Sequence, residues 1–312
     1  MARRARGGYR TVMFQSPPLP LPRARRLGPF EVPRLALGTM RMAGAPVDAL
    51  RGAVAAALDA GLSVVDTAPI YGAGGPGFGD AEARLGAAMA ADRTRDRLVL
   101  VTKAGIEPGA PYDSSAATLR ASCEASLRRL RTDRIDLFLV HRPDDLAGAA
   151  EVAGALDGLV ADGLARAVGV SNHTASRVRA LAAHLAAPVA ANQVEMSPLA
   201  LGPLQDGVLD QCDETGIAPM AWSPLAGGAL LSPEGPRAAA VAAALDRIAE
   251  ANGIGRDVAA LAWVLAHPSG VVPVLGTGRP ERVAAAARAF EARLDRRGWY
   301  DVLEAARGAP MP

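Results

Sequence analysis

From residue 35 onward the chain alternates between two hydrophobic patterns. Short apolar runs rich in β-branched residues give way to longer alanine- and leucine-rich stretches whose apolar positions recur at helical spacing. The short runs predict eight strands: Leu35–Thr39, Ser63–Asp66, Leu98–Lys103, Ile135–Val140, Ala167–Ser171, Val189–Val194, Ala218–Trp222 and Val271–Leu275. Between them the spacing predicts helices over Val47–Ala60, Asp80–Ala90, Ser115–Arg131, Leu146–Asp162, Thr174–Leu185 and Leu204–Glu214. Two helices, Pro236–Ala251 and Asp257–His267, separate the last two strands; Glu281–Arg293 and a terminal Arg296–Arg307 follow. Pro46 stands where proline is tolerated ahead of a first helical turn. Gly61 stands where a left-handed residue ends the same helix, and Asp257 has the chemistry of an N-cap.

Strands alternating with helices imply parallel strands joined by crossovers. Eight such units in about 250 residues point to a closed (β/α)8 barrel, one α/β domain over residues 31–312 with an extra C-terminal helix. A doubly wound open sheet is the alternative. It usually carries a Gly-rich turn after its first strand, and Leu37-Gly38-Thr39-Met40-Arg41-Met42 has no such turn.

Composition narrows the function. No apolar run approaches the roughly 18 residues of a membrane span, so no membrane partner is expected. Two cysteines, Cys123 and Cys212, make neither a disulfide framework nor a thiolate metal site, so a reducing, cytoplasmic setting is expected. His141, His173, His184 and His267 lack ligand spacing, so no metal is implied. Residues 1–34 hold eight arginines against Glu31 alone, so the formal charge of +2 hides an acidic body. That body argues against a nucleic-acid partner. Residues 1–30, basic and broken by the Pro-rich Ser16–Pro22, read as a disordered or surface-draped arm. Arg3-Arg4 is followed by no apolar signal region, so an export role is not expected.

Of 34 basic residues, 33 are arginine, and Lys103 is the single lysine. Arginine stays protonated and planar, whereas lysine is a compact charge with a tunable pKa. Active sites of such barrels lie at the C-terminal ends of the strands. Strand two ends on Asp66, strand three on Lys103 and strand four runs into His141, while Tyr71 lies in the loop after strand two. A phenol with a pKa near 10 becomes a better acid beside an ammonium. A carboxylate would hold that ammonium, and an imidazole would donate to a carbonyl oxygen. Singly, Asp66 reads as a turn cap, Tyr71 as a loop aromatic and His141 as a structural histidine. Together they form a general-acid set for carbonyl chemistry.

The motifs Val65-Asp66-Thr67-Ala68-Pro69-Ile70-Tyr71-Gly72, Val101-Thr102-Lys103, Ile135-Asp136-Leu137 through His141-Arg142-Pro143, Gly169-Val170-Ser171-Asn172 and Asn192-Gln193-Val194-Glu195 resemble those of the aldo/keto reductases, in order, over roughly residues 28–312. The resemblance implies a barrel that binds NADP(H) without a Rossmann domain and reduces an aldehyde or ketone to an alcohol. Tyr71 would be the general acid/base, Lys103 held by Asp66 would lower its pKa, and His141 would orient the carbonyl. Ser171, Asn172 and Gln193 match positions on the nicotinamide carboxamide, and Trp222 matches the aromatic that stacks on its ring. Ser223, Leu225, Gly227 and Gly228 match the pyrophosphate segment. Gly38, Thr39 and Met40 match the first-strand end beneath the cofactor, and Thr277 and Arg282 match the 2′-phosphate site.

Two departures stand out. A family lysine before that threonine is Gly276 here, and a Glu-Asn pair is Ala285-Ala286, with Arg279 placed to compensate. The insertion Gly72–Gly79 lengthens the gap from Tyr71 to Glu82 and reads as a mobile lid with Phe78 facing substrate, or as an idle surface loop. A non-catalytic nucleotide-binding subunit and a barrel enzyme of other chemistry are the competing functions. The subgroup resemblance favours a monomer acting on a small carbonyl substrate. Cys123 and Trp263 read as core and His184 as surface; Trp299 reads as packing the terminal helix or bordering the substrate mouth.

Overall fold

The computed structural model describes residues 16–312. Its first two strands, β1 (Ala24–Leu27) and β2 (Phe30–Pro33), form an antiparallel hairpin. The next eight are β3 (Ala36–Gly38), β4 (Val64–Asp66), β5 (Val99–Ala104), β6 (Ile135–Val140), β7 (Ala165–Ser171), β8 (Val189–Glu195), β9 (Ala218–Trp222) and β10 (Val272–Leu275). They are parallel, pair in chain order and close where β10 meets β3, giving the expected (β/α)8 barrel. Each predicted strand lies within two residues of an observed one.

The crossovers are α1 (Val47–Asp59), α2 (Asp80–Asp92), α3 (Ala116–Leu130), α4 (Ala149–Ala161), α5 (Ala175–Ala182), α6 (Val208–Thr215), α7 (Gly235–Asn252) and α8 (Arg256–Leu265). After β10 come α9 (Pro280–Ala286) and the terminal α10 (Arg296–Arg307). Several helices are shorter than their apolar spacing suggests, α4 among them, which starts at Ala149 rather than Leu146. The stretch before α6 is a separate 3-10 turn at Gly202–Leu204, α5 stops before Leu185, and α9 tightens into a 3-10 segment, Ala287–Glu291. Gly255, not Asp257, is the N-cap of α8; Asp257 sits two residues inward, within the first turn, where its carboxylate still accepts from the Val258 amide at 3.0 Å. A carboxylate at either position offsets the helix dipole.

The strands are buried on both faces. In β6, Leu137 and Leu139 join an interior layer with Val64, Val101, Met220 and Val272. Phe138 and Val140 point outward into the layer under the helices. This two-faced burial explains why the strands read as continuous apolar runs rather than alternating ones. Trp299 stacks on Trp263 at 5.0 Å and 6°, and each indole N–H donates to the other residue's carbonyl, at 3.0 and 3.1 Å. This pair fixes α10 to α8. Cys123 is in the core and His184 is exposed.

The N-terminal arm is not as expected. Residues 1–15 lie outside the described residues, but the proposed boundary at residue 30 falls inside the hairpin. The loop is Gly28-Pro29, with Gly28 at φ +59°. Proline cannot take a positive φ, so the turn has the hairpin form that needs only its first residue left-handed. A Cβ on Gly28 would lie 3.1 Å from the Cβ atoms of Ala167 and Ala190, near the start of β7 and β8. Leu27 and Val32 are buried in the interior layer, so the hairpin floors the N-terminal end of the barrel. The arginines that read as a solvated tail are partly structural. Arg25 donates to the carbonyls of Ser269, Gly270 and Ile217, and buried Arg34 donates to those of Leu265 and Val271. Leu19 also pairs with Leu294 through its amide, at 2.7 Å.

Leu27 is fully buried. Leu27→Ala is expected to lower unfolding stability by about 2–5 kcal/mol in urea titration. A loss below about 1 kcal/mol would mean that the hairpin is a dispensable flap and not the floor of the barrel.

Candidate active site

The register places the chemistry. Gly38 pairs with Asp66 across β3 and β4, and Lys103 pairs with Leu139 across β5 and β6, so their side chains reach one end of the barrel. Gly38 must be glycine, because a Cβ there would meet the Leu275 carbonyl at 2.8 Å. Lys103 has a fully buried side chain, and its Nζ donates to Asp66 Oδ1 at 2.7 Å, to the Thr67 carbonyl at 2.9 Å and to the Tyr71 hydroxyl at 3.1 Å. Three donors thus meet three acceptors. Gln193 Nε2 also donates to Asp66 Oδ1, at 2.8 Å, which fixes the carboxylate from the opposite wall. The His141 ring stands edge-on to Tyr71, 6.1 Å between centroids.

The electrostatics follow from burial and neighbours. Burial works against a charged Lys103, but Asp66 and Tyr71 outweigh it and hold its pKa above the usual lysine range. Burial raises the Tyr71 phenol and Lys103 pulls it back, leaving a net upward shift. The expected lowering by Lys103 is therefore present but smaller than the effect of burial. His141 is pushed down to about 2, by burial first and then by Lys103 and Arg142. It is a neutral imidazole at any working pH, able to donate or accept without adding charge.

A cleft of about 280 Å³ opens above this set. Along its wall lie Gly38, Met40, Asp66, Tyr71, His141, Ser171, Asn172 and Gln193. It continues past Trp222, Ser223, Leu225, Gly227 and Gly228 to Gly276, Thr277 and Arg282. Lys103 lies behind that wall. Asn172 organises the middle. Its Nδ2 donates to Ser171 Oγ at 2.8 Å and to the His141 carbonyl at 3.2 Å, and its Oδ1 accepts from the Trp222 indole at 2.9 Å. Asn172, Ser223 and Ala226 have φ of 59°, 51° and 51°, left-handed values rare outside glycine and concentrated here on cleft loops.

Three expectations need correction. Thr39 is buried and does not reach the cleft; its hydroxyl bonds Thr67 Oγ1 at 2.8 Å and braces the strand end. Arg279 also lies off the cleft wall, paired with Glu281 at 2.5 Å. Phe78 does not face substrate. It lies under Arg129, 5.9 Å from guanidinium to ring, and Arg129 is held by buried Glu82 at 2.7 Å. Residues 72–79 are tied down by the Gly77 amide on the Gly72 carbonyl and the Gly79 amide on the Pro69 carbonyl, so the stretch is a folded loop, not a lid over the cleft. Sequence reasoning missed Arg41, Arg142, Leu231, Asp257 and Leu261 on the wall. Arg41 and Arg142 adjoin residues that were identified, which was the available signal.

Residues 34–306 match the model of the aldo/keto reductase family. This chain belongs to the aldo/keto reductase family. It is 49% identical over 302 residues to a 6-dehydroglucose reductase of Novosphingobium aromaticivorans, covering 94% of this chain and 99% of that one. It is 39% identical to a 6-dehydroglucose reductase of Agrobacterium fabrum, over 89% and 96% of the two chains. Among solved structures, an aldo/keto reductase of Klebsiella pneumoniae crystallised with NADP and acetate superposes with a TM-score of 0.76 at 32% identity, over 93% of this chain and 96% of that one. The protein is therefore an oxidoreductase of this family. Among the described residues no helix is long and apolar enough to cross a membrane, and no three ligand-type side chains gather as a metal site.

The depressed His141 pKa has a sign that can be checked. Its folded value lies below the unfolded value near 6.5, so its contribution to stability is present above that pH and drains as pH falls below it. The His141 ring signal, assigned with a His141→Gln variant, is expected not to titrate in NMR between pH 5 and 8. A midpoint between 6 and 7 would contradict the neutral imidazole.

Proposed function

We propose that this protein reduces the aldehyde of a sugar-like substrate with NADPH, using Tyr71 as the general acid. The observation that carries the reading is the Tyr71 hydroxyl held 3.1 Å from a charged, buried Lys103 on the cleft wall. The sugar aldehyde is suggested by the relatives named 6-dehydroglucose reductase, above all the one at 49% identity.

The residues present fit the cofactor. The Gln193 side-chain carbonyl lacks a hydrogen-bond partner among the described residues, which leaves an acceptor for a carboxamide N–H. Trp222, fixed by Asn172, offers a ring to the cleft. Gly227 and Gly228 have positive φ and open space where a Cβ would stand, which suits a backbone in close approach to phosphate. Arg282, at the far end beside Thr277, presents a guanidinium suited to a further phosphate.

Bound NADPH would supply the hydride. The chain's own residues manage the proton. Tyr71 gives its hydroxyl proton to the carbonyl oxygen as that oxygen gains charge. Lys103, already hydrogen-bonded to the phenol, stabilises the phenolate left behind. Asp66 keeps Lys103 charged and oriented, and Gln193 keeps Asp66 in place. Neutral His141 donates a hydrogen bond to the same carbonyl oxygen and fixes its direction. In the reverse direction the phenolate accepts the alcohol proton. We read the enzyme as a monomer acting in the cytoplasm.

NADPH oxidation with a panel of aldehydes, including sugar aldehydes, tests this. Wild type is expected to turn over, and Tyr71→Phe is expected to lose about 10²–10⁴-fold in kcat, with NADPH affinity within about twofold. Turnover that survives in Tyr71→Phe would remove the phenol from its role. A binding titration tests the cofactor end. Arg282→Ala is expected to weaken NADPH by about tenfold, as for loss of one charged hydrogen bond, and to leave NADH little changed. Equal losses for both would refute the phosphate assignment.

A further inference from the structure

Arg142 lines the cleft, yet the reductase reading gives it no role. It follows His141 directly at the end of β6 and lines the same cleft. Its guanidinium carbon lies 5.8 Å from the centre of the Trp222 ring. Among the described residues, its side chain makes no hydrogen bond and has no carboxylate within ion-pair distance. The neighbouring cleft arginine differs: Arg41 donates to the Gly227 carbonyl.

This placement has an electrostatic cost. Arg142 helps to depress His141, and its charge acts on the Tyr71 phenol as well. Arg142 and Lys103 both act on His141 and Tyr71, so Arg142 adds like charge there that no carboxylate among the described residues pairs with. The indole face attracts the guanidinium without using any of its N–H donors. All five therefore remain for a ligand, in a planar fork that suits two adjacent oxygens. One peptide link to His141 places the Arg142 backbone beside the residue whose imidazole would receive the carbonyl, and the Trp222 ring is what the guanidinium lies against.

We propose that Arg142 anchors the substrate, its guanidinium donating paired hydrogen bonds to neighbouring hydroxyl oxygens of a polyhydroxylated aldehyde whose carbonyl lies at Tyr71 and His141. The proposal rests on the reductase reading and makes Arg142 the residue that separates hydroxylated from plain aldehydes. A carboxylated aldehyde is the competing ligand. Charge alone would serve for it, whereas adjacent hydroxyls need the fork.

The test compares kcat/KM for D-glyceraldehyde, propanal and glyoxylate in wild type, Arg142→Ala and Arg142→Lys. The general effect of Arg142 on the catalytic phenol cancels in ratios between substrates. The glyceraldehyde-to-propanal ratio is expected to fall at least tenfold in Arg142→Ala and to stay low in Arg142→Lys. Calorimetric titration with D-glucose, the alcohol formed from a 6-aldehydo hexose, is expected to show a Kd raised at least fivefold in both variants. An unchanged ratio with unchanged glucose affinity would overturn the anchor while leaving the reductase intact. Selective loss of glyoxylate in Arg142→Ala, restored in Arg142→Lys, would replace hydroxyl recognition with carboxylate recognition. Wild-type inactivity toward all three aldehydes and the sugar aldehydes would defeat the underlying reading.

Discussion

The site depends on one buried ion pair. Lys103 and Asp66 meet at 2.7 Å with almost no exposure of either side chain. Two charges removed from water are stable only if their remaining hydrogen-bonding capacity is met. Here it is met by the Thr67 carbonyl and the Tyr71 hydroxyl on one side and the Gln193 amide on the other. Removing one partner would strand a buried charge at a cost of about 3–5 kcal/mol. The pair thus does two things at once. It fastens β4 and β5 at the functional end, and it keeps a full positive charge against the phenol.

The two ends of the barrel have divided tasks. At the N-terminal end the hairpin closes the interior with Leu27 and Val32, and Arg25 and Arg34 satisfy carbonyls around the rim. At the C-terminal end the loops carry left-handed Asn172, Ser223 and Ala226, conformations that cost of order 1–3 kcal/mol each when a side chain is present. A well-closed floor gives the cleft loops a rigid base on which such strain is tolerable. The buried Glu82, bonded to Thr102 at 2.6 Å and to Arg129 at 2.7 Å, extends that base to the residue before Lys103 and to the helix after Tyr71.

Much of this was legible in the sequence because the strands are short, apolar and end on polar residues. Asp66, Lys103 and His141 could be placed by counting from strand ends, and the register brings them together. The hairpin was not legible. Its first strand and turn, with Arg25, Arg26 and Pro29, fall inside residues 1–30, which read as a tail, and only tertiary contacts with rim carbonyls make Arg25 structural. The Gly72–Gly79 insertion left a lid and an idle loop both open for a similar reason: only its backbone hydrogen bonds and the packing of Phe78 under Arg129 favour the folded loop. Arg279, placed in the sequence to compensate for the missing lysine, pairs with an exposed acid two residues later, Glu281, off the cleft wall. Charge pairing across short distances decides such cases, and residue type alone does not reveal it.

The sign of charge in the cleft explains why the imidazole must be neutral. Asp66 is matched by Lys103, so Arg142 leaves the catalytic end with a net positive field. Burial is the main force against a protonated His141, and that field disfavours it further. In the mechanism proposed above, the same field would favour both species that form, a carbonyl oxygen gaining negative charge and a phenolate after proton release. Burial raises the phenol pKa in the resting site, so as the proposed acid Tyr71 would hold its proton until the carbonyl oxygen needs it. The lysine then has its largest effect on the state that follows transfer. A site that keeps its acid protonated at rest and stabilises its conjugate base afterwards needs a fixed cation within hydrogen-bond reach, and Lys103 is positioned to be that cation.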